Sequence, residues 1–280
     1  MNVIEHTDRR EAPVGVFDSG IGGLTVAREI MRNLPTERIV YFGDTARVPY
    51  GSKSKDTIVR YSRQIVRFLK TQDIKAIVIA CNTATALAID EVKEEAGMPV
   101  IGVIDPGAHM AVRATRNKNV GVIATRATIQ ARTYTTFINN LDPEINVISQ
   151  ACPLLVPLVE EGWLHDRITD EILMRYLDDV LEHDVDTLIL GCTHYPLLRS
   201  AIKKLLGEQV TLINPAYETA KELEKMLAAS GLANVRPMDK NEPYPYKFFV
   251  SDDAKKFKDF ANSILPIDVT NARVVPIEEY

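Results

Sequence analysis

Short unbroken apolar runs alternate along this chain with longer stretches in which apolar residues return at helical spacing. Val14, Gly15, Val16 and Phe17 form the first run, and the turn Asp18-Ser19-Gly20-Ile21-Gly22-Gly23 leads from it into a helix beginning near Leu24. The run 39–42 opens onto the polar loop 43–52, and Ile58, Ile65, Phe68 and Leu69 then mark the buried side of a helix over 54–70. The run 76–80 is followed by a helix over 84–96, the run 100–104 and a turn at Asp105-Pro106-Gly107. Strand and helix keep alternating beyond that point, which predicts mostly parallel sheets flanked by helices. Ala220, Leu223, Met226 and Leu227 lie on one helical stripe after residue 216, and a Pro- and Tyr-rich stretch at 243–246 precedes the strand 246–250. This last part reads as a cap or completion of the first half. Residues 1–12 are polar and unpatterned, which predicts a loose N-terminal extension.

From Val120 the series restarts. Val120-Gly121-Val122 echoes Val14-Gly15-Val16 at an offset of 106, and Pro157 echoes Pro49 at 108. Cys192 echoes Cys81 at 111, and Pro215 echoes Pro106 at 109. Four echoes in one order with nearly constant spacing argue for an internal duplication. The fold class expected is therefore α/β, with two similar domains, each a mostly parallel sheet flanked by helices. Ligands of such sheets bind at the carboxyl ends of the strands, so an active site is expected in the cleft between the domains.

Composition narrows the function. A chain of 280 residues exceeds one ordinary hydrophobic core, which agrees with two domains. Its 33 basic and 38 acidic residues give a net charge of -5 and are scattered, so no basic stripe awaits a nucleic acid. No apolar run approaches the ~18 residues of a membrane span, and residues 1–11 lack the apolar centre of a secretory signal. A cytoplasmic protein with neither nucleic-acid nor membrane partners is expected. Three cysteines are too few for a disulfide framework, so Cys81, Cys152 and Cys192 are expected as free thiols.

The two outer cysteines sit in matching surroundings. The run 76–80 ends in Cys81-Asn82-Thr83, and Leu188-Ile189-Leu190 ends in Gly191-Cys192-Thr193-His194. A lone cysteine closing a buried strand is ordinarily a small core residue, which is the reading given to Cys152. A pair across a cleft can do more. One thiolate can take a proton from a substrate carbon while the opposed thiol delivers one to the other face, inverting the centre without a cofactor. A free thiol ionises near pH ~8.5, so modest help from helix N-termini at 82–83 and 193–194 would suffice. The same backbone N–H groups could hold a substrate carboxylate. His194 is the candidate proton partner of Cys192, and Asp18, at the end of the neighbouring strand, that of Cys81. The blander alternatives are a turn histidine and an N-cap for the helix at Leu24. Glu160 and Glu161 either end a solvated helix or offer one carboxylate to the cleft, and spacing does not choose.

Competing chemistries fit less well. Gly20, Gly22 and Gly23 do not match Gly-x-Gly-x-x-Gly, since position 25 is Thr, and no phosphate-loop Gly-Lys-Ser/Thr follows. Cys192 and His194 come without a Cys-x-x-Cys or a His-rich helix, so no metal site is expected. A cysteine hydrolase using Cys192 and His194 would leave Cys81 idle. A binding protein without catalysis also has two lobes and a cleft, but has no need of two opposed thiols.

These motifs resemble those of the cofactor-independent glutamate racemases of the aspartate/glutamate racemase superfamily. The residues concerned are Phe17 to Leu24, Gly43-Asp44 with Pro49-Tyr50-Gly51, Cys81-Asn82-Thr83, Val159-Glu160-Glu161-Gly162 and Gly191 to Pro196, and the likeness extends over about 13–265. The resemblance implies that Cys81 and Cys192 are the acid/base thiols for the D and L faces, assisted by Asp18 and His194, with Glu160 in a secondary role. It implies that Ser19, Tyr50, Gly51, Asn82, Thr83 and Thr193 hold the amino acid, together with Asp18 and His194, and that Thr125 or Thr128 joins them. It further implies a discontinuous first domain, 13–105 plus 216–280, around a second domain at 106–215. The activity implied is interconversion of L- and D-glutamate with no cofactor, by a cytoplasmic homodimer that supplies D-glutamate for peptidoglycan, cell-wall biogenesis and cell shape. A racemase for aspartate or another acidic or cyclic substrate is the near alternative.

Overall fold

A computed structural model describes residues 8–236 and 245–280. In chain order the elements are β1 (Val14–Asp18), α1 (Leu24–Asn33), β2 (Ile39–Gly43), α2 (Lys55–Lys70), β3 (Ala76–Ile79), α3 (Asn82–Ala96), β4 (Val100–Gly102) and α4 (Ile104–Ala114). There follow β5 (Asn119–Ala124), α5 (Arg126–Gln130), α6 (Thr133–Leu141), β6 (Asn146–Ala151), α7 (Leu155–Glu160), α8 (Arg167–Glu182), β7 (Thr187–Gly191), α9 (Arg199–Leu206) and β8 (Thr211–Ile213). The described chain ends with α10 (Pro215–Ala229), β9 (Tyr246–Val250), α11 (Ala254–Ile264) and β10 (Ala272–Val274).

Two parallel sheets result, ordered β10-β9-β2-β1-β3-β4 and β6-β5-β7-β8. The core of the first, β2-β1-β3-β4, repeats in the second as β6-β5-β7-β8, so the duplicated sequence pattern corresponds to a duplicated strand order. The late strands β9 and β10 extend the first sheet beyond β2, which completes that half rather than capping it. Continuous apolar strands suit sheets covered on both faces. In β1, Val14 and Val16 join α1, α10 and α11 on one side, while Phe17 joins α2 and α3 on the other. In the second sheet Leu188 and Leu190 face α8 and α9, and Ile189 faces α4 and α6.

Register decides where the chemistry lies. Phe17 is opposite Ile79 in the β1–β3 pair, so Asp18 and Cys81 leave the same carboxyl edge as neighbours. Ala124 is opposite Gly191 in the β5–β7 pair, which places Thr125 beside Cys192 at the matching edge.

Two sequence expectations change. Asp105-Pro106-Gly107 is the first turn of α4 rather than a reversal, because a proline there gives up an N–H that has no helical acceptor anyway. Pro215 repeats this at the start of α10, where Asn214 Oδ1 accepts the Ala216 N–H at 3.1 Å. Residues 8–12 are docked, not loose. Arg9 pairs with Asp73 and donates to the Ile74 carbonyl at 2.8 Å, and Lys75 Nζ donates to the Arg10 carbonyl at 2.6 Å. Residues 1–7 of that expected extension, and 243–244 of the Pro- and Tyr-rich stretch, lie outside the described residues.

Lys75 also forms an ion pair with Glu37, whose Oε1 accepts the Asn234 N–H at 2.8 Å, and the two side chains are only 0% and 3% exposed. Removing one partner of a buried pair strands the other charge, so Lys75→Ala is expected to lower the unfolding free energy by about 3 kcal/mol in a urea titration. The double variant Lys75→Met with Glu37→Leu is expected to recover most of that loss, and equal losses in both proteins would contradict the pairing.

Candidate active site

The first wall of the cleft is built where β3 passes into α3. Cys81 is the N-cap of α3, and its sulfur accepts the Ala84 N–H at 3.4 Å. A sulfur in the usual place of a Ser or Asp oxygen lies against the positive end of a helix, which favours negative charge on it. The thiol donates to Ser19 Oγ at 3.5 Å. Cys81 is nonetheless only 5% exposed, and burial pushes its pKa up to about 12, with the Asp18 carboxylate adding to the effect. Asp18 itself is fully buried. It caps its own turn by accepting the Gly20 N–H at 3.1 Å rather than capping α1, and its Oδ1 has no hydrogen-bond partner. Burial raises the Asp18 carboxyl above its ordinary pKa, opposed by His194 and by the backbone N–H groups of Gly23, Gly20 and Ser19.

The opposite wall follows β7 and is organised differently. Cys192 leads into a short 3₁₀ turn at Tyr195–Leu198, so its sulfur has a side chain beside it instead of an α-helix N-terminus. His194 Nδ1 lies 3.7 Å from that sulfur, and Nε2 lies 3.1 Å from Glu160 Oε1. Burial alone disfavours a charged ring here, but the contacts with Cys192 and Glu160 and the charge on Asp18 outweigh it and raise His194 to about 10. His194 is an imidazolium at neutral pH. Its hydrogen bond in turn holds the Glu160 carboxyl below the usual range. A positive charge against Cys192 compensates negative charge developing on that sulfur, whereas Cys81 rests as a thiol.

Both sulfurs face one small cavity of about 30 Å³, whose walls also include Ser19, Tyr50, Asn82, Thr83, Thr193 and Glu160. A single water needs roughly 10–15 Å³, so the cavity as it stands is close to the scale of a water site. A larger cavity of about 330 Å³ adjoins it, sharing Pro49, Gly51, Thr125 and Val156, and forms the approach. Hydroxyls and amides hold the walls together. Thr83 Oγ1 lies 2.9 Å from Thr125 Oγ1 and 3.1 Å from Thr128 Oγ1, Thr25 Oγ1 donates to the Thr193 carbonyl at 3.0 Å, and Tyr134 Oη donates to Asn82 Oδ1 at 2.7 Å. Two glycines permit the approach. A Cβ at Gly22 would stand 2.4 Å from Thr193 Oγ1 and 2.5 Å from His194 Nδ1, and one at Gly51 would stand 2.6 Å from Thr125 Cβ. Of the glycines that superficially suggested a nucleotide loop, Gly22 thus serves close contact with the other domain, while Gly20 and Gly23 pack against Val48, Asp18 and Tyr41 of their own.

All of the residues singled out in the sequence lie at or beside this cleft except Glu161, which is exposed while Glu160 turns inward. The Tyr50 hydroxyl is engaged elsewhere, donating to Asp44 Oδ2 at 2.5 Å, which leaves its backbone for a ligand. Cys152 is buried as part of the second sheet's core, where its carbonyl accepts the Tyr195 hydroxyl at 2.8 Å. Among the described residues no group of three or more His, Cys, Asp or Glu could hold a metal ion. Thr25, Tyr134 and the role of Asp44 were missed by sequence reasoning. Thr25 contacts a residue 168 positions away and Tyr134 one 52 away, separations for which local spacing carries no signal.

A two-domain α/β protein with a buried thiol on each wall of one cleft has the form of an acid/base isomerase. Known proteins agree. The model of the Asp/Glu/Hydantoin racemase family matches residues 15–223. A glutamate racemase from Neisseria meningitidis serogroup B is 49% identical over 257 residues, covering 91% of this chain and 93% of its own length. One from Geobacter metallireducens is 46% identical over 252 residues, covering 90% and 92%. The crystal structure of glutamate racemase from Francisella tularensis in complex with D-glutamate superposes with a TM-score of 0.89 at 40% identity, covering 97% of this chain and all of that one. The chain belongs to the Asp/Glu/hydantoin racemase family, and it is an enzyme of the racemase class.

The close approach at Gly22 makes a sharp test. Gly22→Ala must displace Thr193 and His194, and a shift of about 1 Å in an acid/base group is expected to cost roughly a hundredfold in turnover. Wild-type turnover in that variant would contradict the contact. The protonation of Cys81 is tested in a Cys152→Ser/Cys192→Ser variant, where only Cys81 is left to alkylate. Its rate with iodoacetamide is expected to keep rising from about pH 8 to about pH 11, since the thiolate is the reacting form. A plateau below about pH 9 would refute a thiol held at about 12.

Proposed function

We propose that this chain is a glutamate racemase that interconverts L- and D-glutamate by proton transfer between the α-carbon and two thiols. The observation that carries the reading is the pair of buried sulfurs, Cys81 and Cys192, on one cavity at the carboxyl edges of two equivalent sheets. It is supported by the relatives named above and by the D-glutamate in the Francisella structure.

Cys192 takes the α-proton of L-glutamate into its thiolate, and the carbanion receives the proton that the Cys81 thiol releases from the other face. The reverse direction exchanges the roles, so no electrons are gained or lost and no proton is consumed. In the first direction His194, 3.7 Å from the Cys192 sulfur, compensates charge there, and Cys81 carries the proton to be delivered. Asp18 and Ser19 manage the proton at Cys81, and Glu160 holds the His194 ring. The substrate carboxylates and ammonium are held by Ser19, the Tyr50-Gly51 backbone, Asn82, Thr83, Thr193 and Thr125 or Thr128. The residues so used require no cofactor.

The wider reading is a cytoplasmic homodimer supplying D-glutamate for peptidoglycan. Its support is the family resemblance and the fact that, among the described residues, no helix is long and apolar enough to cross a membrane. The domain division proposed is 13–105 with 216–280 and 106–215, consistent with the membership of the two sheets.

In heavy water a single enantiomer of glutamate is expected to yield product carrying deuterium at the α-carbon, seen by mass spectrometry, because a thiol proton equilibrates with solvent. Product without deuterium, or activity dependent on added pyridoxal phosphate, would refute the mechanism. Cys81→Ser and Cys192→Ser are each expected to lower racemisation by a hundred- to ten-thousandfold, roughly the contribution of a general acid or base.

A further inference from the structure

The Gly43-Asp44 motif is absorbed by none of the chemistry above, yet Asp44 is the meeting point of a buried network directly behind the cavity. Its carboxylate is 0% exposed. Arg47 Nε donates to its Oδ1 at 2.9 Å and its Oδ2 at 2.7 Å, Ser251 Oγ donates to Oδ1 at 2.8 Å, and the Tyr50 hydroxyl donates to Oδ2 at 2.5 Å. Arg47 is fixed in turn, since Nη1 donates to Gln64 Oε1 at 2.6 Å and the guanidinium lies 3.9 Å over the Tyr61 ring. Main-chain bonds extend the network to the chemistry, because the Asp44 N–H donates to the Asp18 carbonyl at 3.1 Å and the Ser251 N–H to the Gly43 carbonyl at 3.1 Å.

Such an arrangement is a poor investment for stability alone. The cost of desolvating both charges of a buried ion pair commonly cancels its attraction, and an apolar pair of similar volume would do as well. What an ion pair of this kind adds is direction. Here the fixed object is the segment 48–51, all four residues of which line the cavity that holds both sulfurs. Gly51 is at the same time pressed against Thr125 of the other domain. A wall placed this closely has little tolerance for displacement.

We infer that Asp44 is a positioning residue: clamped by Arg47 and Ser251, its carboxylate holds the Tyr50 hydroxyl and so fixes the 48–51 wall against which the substrate is bound. Asp44 touches neither the substrate nor the sulfurs and acts only through Tyr50 and the loop. The inference rests on the glutamate racemase reading, in which Tyr50 and Gly51 hold the amino acid away from the reacting carbon. A contact of that kind is equally strong in the bound and transition states, so loosening it raises KM and leaves kcat nearly as it was.

The test compares Tyr50→Phe, Asp44→Asn and the double variant with wild type in L-glutamate racemisation, with thermal midpoints measured in parallel. Wild-type racemisation in the same assay decides the functional reading by itself. Tyr50→Phe removes one oxygen and one hydrogen bond, and is expected to raise KM roughly three- to tenfold with kcat within about twofold. Asp44→Asn is expected to raise KM by at least as much, and the double variant no further, since both changes cut the same connection. A thermal midpoint that falls while KM stays at the wild-type value would make Asp44 purely structural and overturn the inference. So would a fall in kcat at constant KM, or multiplication of the two single effects in the double variant. Should Asp44→Asn fail to fold, Tyr50→Phe decides the matter alone through its KM.

Discussion

In the proposed reaction two sulfurs exchange protons with a carbon atom in a place from which water is nearly excluded, and most of the site answers to that constraint. Burial opposes every charge the chemistry needs. On one side the answer is a neutral resting thiol, with Cys81 kept protonated by burial and by Asp18, and with a helix N-terminus ready for the charge that forms when the proton leaves. On the other it is an imidazolium, His194, made stable in a buried site by Cys192 and Glu160. The two solutions are unequal, one wall answering with a neutral thiol and a helix N-terminus and the other with a positive side chain beside the sulfur.

The same constraint explains the closeness of the domains. Glycines at 22 and 51 bring main chain from the first domain against Thr193, His194 and Thr125 of the second, where any side chain would collide. Hydroxyl and amide contacts from Thr83, Thr25 and Tyr134 then satisfy polar groups that closure removes from water. The cavity left between them is only about 30 Å³, so little water remains beside the two sulfurs. Behind the first wall, Asp44 ties together Arg47 and Tyr50 in a loop whose only helical structure is two single turns, Thr45–Arg47 and Tyr50–Ser52.

Much of this was legible in the residues. The offsets that related Cys81 to Cys192 and Val14 to Val120 correspond to a repeated strand order, because a duplicated apolar pattern folds to a duplicated sheet. The neighbourhood of Asp18 and Cys81 was inferred from parallel strands, and the register supplies it. Other expectations failed for local reasons. Asp105-Pro106-Gly107 has the composition of a turn, yet a proline is equally at home in the first turn of a helix, and packing of α4 on α6, α10 and the second sheet distinguishes the two. The polar segment 8–12 looked loose because its order comes from Asp73, Ile74 and Lys75, more than sixty positions away in the chain.

By itself, then, the sequence determined the alternation of strand and helix, the two-domain repeat, and the pair of thiols with their nearest polar companions. These properties depend on apolar periodicity and on residues a few positions apart, which the chain carries locally. Only the tertiary structure decided that Glu160 and not Glu161 turns to His194, that the Tyr50 hydroxyl belongs to Asp44, and that Gly22 is a contact with Thr193 and His194 of the other domain. Those outcomes depend on which atoms meet across a cleft between domains and on how much water remains there. Neither quantity is a property of any short stretch of chain.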